Sequence, residues 1–123
     1  MAISVQANDD RRVLVATATG DLTLAEFQDF VRTARAGDRR GWPLVFDATG
    51  ATSSITAGQV QALADRVGSS VKREGPRAPV AIVAPADALF GVMRMYQILC
   101  ESRGVVVIHV FRTRGEADAW LGV

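Results

Sequence analysis

With 123 residues, nearly half of them hydrophobic and 22% charged, the chain has the makeup of one folded domain and not of a disordered tail. A formal charge of +1 supplies no general pull toward DNA, RNA or anionic lipid, and no apolar run is long enough to span a bilayer. Cys100 is alone, so neither an internal disulfide nor a cysteine-built zinc site is available, and no charged-then-apolar leader opens the chain. A cytoplasmic protein with no metal or cofactor is the expectation.

Two extended segments come first. "AISVQ" is followed by "RRVLVATATG", in which Val13, Val15 and Thr17 alternate with Leu14, Ala16 and Ala18 until Gly20 breaks the run. The intervening "NDD" reads as a hairpin turn. In "TLAEFQDFVRTARAG" the spacing of Phe27, Phe30, Val31 and Ala34 predicts a first helix, with Thr23 and Glu26 as a capping box and Gly37 as its stop. "PLVFDA" is a buried strand. After the hydroxyl-rich stretch "DATGATSSITAGQ", the segment "QVQALADRVGSSVKR" places Val60, Leu63, Ala64 and Val67 on one helical face, and Gly75 and Pro76 end it.

"APVAIVAP" is the next core strand, bounded by Pro79 and Pro85. "ADALFGVMRMYQILCES" follows as a third helix closed by Gly104, with Leu89, Val92, Met93, Tyr96, Leu99 and Cys100 as its inward face. Phe90, Met95 and Ile98 then fall on the opposite side beside Arg94 and Gln97; either a neighbouring element covers them or they form an exposed apolar patch suited to a homodimer, a partner protein or an apolar small ligand. "VVVIHVF" is apolar on both faces. In "TRGEADAWLG" Thr113 and Glu116 repeat the capping-box spacing, with Ala117, Trp120 and Leu121 directed inward. Strands alternating with single helices imply right-handed crossovers. The expected architecture is one α/β domain over residues 1–123, order ββαβαβαβα, with a mixed, mostly parallel five-stranded sheet and four helices.

Chemistry-bearing residues are sparse. Asp47 is placed at the carboxyl end of a parallel strand, where open α/β sheets gather ligands, yet no second carboxylate, histidine or lysine is tied to it by spacing; a loop-ordering Asx role competes with a catalytic one. His109 shares its side of a strand with Val107 and Phe111 and reads as a sheet-face histidine, since no nucleophile elbow accompanies it. Neither a Walker pattern nor G-x-G-x-x-G is present. Thr56 stands three residues before Gln59, the geometry of a capping box and equally of a phosphate-accepting helix start. No enzyme is expected from this set.

Several short patterns, with the order of elements, resemble the STAS domains of bacterial anti-sigma-factor antagonists, and more closely the uncharacterised SpoIIAA-like proteins. Gly20-Asp21-Leu22-Thr23 is similar to the family's "G-[DE]-L-[DT]", and Asp47-Ala48-Thr49-Gly50 to its "D-x-S-G". Ile55-Thr56-Ala57-Gly58 aligns with "D-S-S-G", and Val110, Phe111, Thr113, Ala117, Trp120 and Leu121 with the family ending. The resemblance implies a regulatory partner, an anti-sigma factor that is also a kinase. That partner would be bound through Asp47, Thr49, Gly50, Ser53, Ser54, Thr56 and Gly58, with Thr56 matching the phosphorylated serine. Ile55 and Ala57 depart from the pattern, which points to the divergent branch. The wider neighbourhood, with its CRAL-TRIO lipid carriers, implies an alternative: carriage of an apolar ligand.

Overall fold

The computed structural model describes residues 3–33, 39, 41–75, 77–105 and 107–123. The elements follow in the expected order: β1 (Ile3–Asn8), β2 (Val13–Leu22), α1 (Leu24–Thr33), β3 (Leu44–Ser53), α2 (Ala57–Glu74), β4 (Val80–Val83), α3 (Asp87–Glu101), β5 (Ile108–Phe111) and α4 (Arg114–Leu121). The expected roles of Ala34, Gly37 and Pro76 lie outside the described residues. Asn8 accepts from the Arg11 N–H across the first hairpin, and Arg12 turns the chain at φ 53°. Gly75 caps α2 at φ 93°, a conformation that glycine adopts without a Cβ penalty.

The strands lie in the order β1-β2-β3-β4-β5, with β1 antiparallel to β2 and the rest parallel. Three successive right-handed crossovers that all step in one direction must set their helices on one face of the sheet. That face is the main core. Leu14, Ala16, Ala18, Phe46, Ile82 and Val110 meet the buried sides of α1, α2 and α3 there. Phe27 and Phe30 of α1 sit 5.4 and 5.0 Å from Phe46, and Phe27 lies 5.6 Å from Tyr96, so one aromatic group joins α1, β3 and α3.

Among the described residues α4 alone of the helices crosses to the second face, where Ala117 closes a small core of Val45, Ala81 and Val83. Trp120 is directed at the sheet but is buried less than expected: its ring lies 5.5 Å from His109 and 5.7 Å from Phe111 at the β5 edge, and the residue is 43% exposed. An eight-residue helix centred on β4 is too narrow to bury both Ala117 and the indole. Among the described residues no helix is long and apolar enough to cross a membrane.

Candidate functional site

The hydroxyl-rich stretch is mostly strand, not loop. β3 runs to Ser53, because the ten-residue β2 offers it a ladder that continues through Thr19↔Gly50, Gly20↔Ala51, Asp21↔Thr52 and Leu22↔Ser53. β4 stops where Val83 pairs with Asp47, so Ala48 to Ser53 project with β2 as a two-stranded tongue. Asp47 is therefore in mid-strand, not at a strand end as expected.

One extra residue enters β3 between Asp47 and Gly50, a β-bulge, since Thr17 pairs with Asp47 but Thr19 with Gly50. An inserted residue reverses the side-chain alternation beyond it. Leu44, Phe46 and Ala48 face the helices before the bulge; Ala51 faces them after it. The bulge also accounts for Asp47. Its Oδ1 accepts from the Thr49 N–H at 3.0 Å and from the Thr49 hydroxyl, within the stretch where the ladder is interrupted. Its other oxygen is 3.7 Å from Arg114 at the start of α4, and Arg114 also binds Asp118. The Asx role is the one the structure shows.

The tongue delivers the chain to α2 through Ser54 and Ile55. Ser53 donates to the Leu22 carbonyl at 2.8 Å and accepts from the Ile55 N–H, pinning the strand exit. Ile55 is 6% exposed in the main core, which explains an apolar residue where the motif has an acid. Thr56 is the N-cap: its hydroxyl accepts from the Gln59 N–H at 3.3 Å, and the Gln59 side chain accepts from the Thr56 N–H at 2.9 Å. Ser54, Thr56, Ala57, Gly58 and Gln59 are exposed, while Ile55 anchors them from below.

The expected partner residues thus divide. Asp47 and Thr49 hold each other on the face of α4, Gly50 is an exposed strand residue, and Ser53 is committed to backbone. Ser54, Thr56 and Gly58 alone form one accessible rim at the start of α2. The apolar patch on α3 also contracts. Phe90 and Met95 are half-buried against the core, Phe90 carries the Arg112 guanidinium 4.0 Å above its ring, and Ile98 at 52% is the exposed member. Val92 and Leu99, expected inward, are half-buried.

Gln97 was expected on that outer side and is instead 3% exposed. β5 is an edge strand, with its odd-numbered carbonyls turned to β4, as the bonds from Val80 to Val107 and from Ala84 to Phe111 show. The Val110 N–H therefore points off the edge, and the Gln97 Oε1 accepts it at 3.0 Å. Its amide nitrogen donates to Glu101 at 2.9 Å and lies 3.5 Å from His109 Nδ1. A glutamine that mimics a neighbouring strand leaves no periodic signal in sequence.

Asp47, Val83 and Phe111 occupy one row of the sheet, so His109 lies two strands across and one repeat back from Asp47. Cys100 is buried, and loss of solvent pushes its thiol up to about 11 despite a hydrogen bond from Tyr96. These groups do not converge. Among the described residues, no cluster of three histidine, cysteine, aspartate or glutamate side chains has the spacing to hold a metal.

No family model matches this chain, and no curated protein matches it either. A solved structure does: an uncharacterised protein of the DUF3478 family from Shewanella loihica PV-4, 18% identical, with a TM-score of 0.56 over 98% of this chain and 92% of that one. That protein has a SpoIIAA-like fold. Strand order, the single helix on the second face and a match along nearly its whole length lead to one conclusion: this chain has the SpoIIAA-like α/β fold.

Proposed function

We propose that this domain works in the cytoplasm by recognition and not by catalysis, presenting Ser54, Thr56, Gly58 and the first turn of α2 to a regulatory protein. The observation that carries the reading is the exposed, hydroxyl-bearing rim held on a two-stranded tongue and anchored by Ile55. Binding segments are commonly loops positioned by such scaffolds. The partner class, an anti-sigma factor with kinase character, follows from the likeness of Gly20–Thr23 and Asp47–Gly50 to the antagonist motifs.

Thr56 is the control point in this reading. Its hydroxyl sits at the positive end of the eighteen-residue helix α2, and a phosphate there adds close to two negative charges beside free backbone N–H groups. The same group would change both the shape and the charge of the rim that the partner meets.

The test is capture of the purified kinase-like anti-sigma factor of the same host by wild type, Thr56→Ala and Thr56→Glu. Thr56→Ala retains capture and costs about 1 kcal/mol of stability through the lost cap, about 4 °C in the unfolding midpoint. Thr56→Glu weakens capture at least about tenfold, or about 1.4 kcal/mol. Equal capture by all three removes Thr56 from the mechanism.

A further inference from the structure

The two edges of the sheet are built differently. At β5 the strand is short, and Gln97 occupies the outward N–H of Val110. At β1 six residues, ISVQAN, pair among the described residues only with β2 and carry no charge, proline or bulge. Natural edge strands usually bear one of those features, because a bare row of N–H and C=O groups is a template for another strand. Val5, midway along β1, is also one of the few large apolar side chains left substantially open, at 43%.

We infer that β1 is a homodimer interface, pairing antiparallel with β1 of a second copy so that the two five-stranded sheets join across a two-fold axis. The pleat restricts the register. A two-fold perpendicular to the sheet keeps each face on its own side, so a residue can oppose only partners of its own parity. Centring on Val5 sets Val5 against itself, Ile3 against Ala7 and Ser4 against Gln6, like with like on both faces. Centring on Gln6 loses the Ile3–Ala7 contacts.

Charge agrees with this arrangement. Beneath α1 the β1 edge opens into a groove lined by Ile3, Val5, Ala7 and Phe30, with Glu26, Asp29 and Arg39 as its charged members, of which Asp29 is already paired with Arg32. Glu26 belongs to the first turn of α1, on the Ile3 side, because α1 begins where β2 ends and Ile3 pairs near that end. Arg39 precedes β3, whose Leu44 is level with Leu14 and hence with Ala7. The two-fold therefore turns the carboxylate end of one groove toward the guanidinium end of the other. A second copy fits this edge in pleat, in apolar pattern and in sign of charge.

The experiment is sedimentation velocity with light scattering on the full chain, between about 10 μM and about 1 mM, a range that reaches weak association near 4 kcal/mol. The expected mass rises with concentration from 13.1 kDa toward twice that value. Val5→Glu, which sets two carboxylates face to face, weakens the dimer at least about tenfold while its unfolding midpoint stays within a few degrees. Val5→Cys reads the register independently of that variant's folding: opposed residues lie about 4.5–5.5 Å apart at Cα, within disulfide reach, and the buried Cys100 does not compete. It forms an intermolecular disulfide, and Ser4→Cys, displaced along the strand, does not. A monomer throughout the range overturns the inference. So does a dimer indifferent to Val5→Glu that gives equal crosslinking at positions 4 and 5.

Discussion

Replacing Gln97 tests whether the edge of β5 is held by one side chain. Gln97→Leu keeps the volume and the apolar contacts of a site that is 3% exposed, and removes the acceptor 3.0 Å from the Val110 N–H. A buried donor left without a partner costs about 1–3 kcal/mol, whereas Glu101, which loses the other hydrogen bond, is exposed and regains water. With about 2.1 cal/mol/K of unfolding entropy per residue, the 123-residue chain loses about 4–12 °C in its midpoint. Thermal unfolding gives the total. Amide exchange gives the location, because protection at Val110 falls while that of residues bonded to β4 holds. A Gln97→Leu protein as stable as wild type, with the Val110 amide still protected, refutes the assignment of Gln97 as a surrogate strand.

Two further outcomes follow from burial. Ile55→Asp, which restores the acid of the antagonist motif, trades a residue 6% exposed for a carboxylate in an apolar core; urea unfolding is expected to show a loss of about 3–5 kcal/mol. A loss under about 1 kcal/mol would mean that position 55 can turn outward. Cys100 is expected to resist iodoacetamide at neutral pH in the folded protein and to react readily in denaturant. Because burial raises its folded pKa to about 11, the unfolded thiol deprotonates first as pH rises. The stability linked to this thiol is therefore whole below the ordinary thiol pKa and is lost as the pH climbs through about 11, which unfolding measured from about pH 8 upward will show.

Much of the architecture is legible in the chain because strand and helix periods are local properties. The alternation at Val13–Ala18, the spacing of Val60, Leu63, Ala64 and Val67, and the capping boxes Thr23–Glu26 and Thr56–Gln59 each arise within a few residues, and each reappears in the structure; at Thr113 only one of the box's two backbone bonds forms, from the Glu116 N–H to the threonine hydroxyl. The order of the strands is not local in this way; crossover handedness only fixes the face that each helix takes once that order is set. Thr56 as an N-cap belongs to the local class, since a capping box is closed by residues three apart.

What the chain alone could not determine depends on distant partners. "ATGATS" looks like a loop, small and rich in hydroxyls, and becomes strand only because β2 is long enough to carry it. The bulge that fixes Asp47 and reverses the pleat is a mismatch between two strands and has no existence in either one. Gln97 and Trp120 exchange their expected environments for a related reason: α3 lies beside an edge strand with an open N–H, and α4 is too short to cover an indole at the rim. Periodicity reports which face of a helix is apolar; the width and the edges of the layer beneath it decide which residues that face can bury.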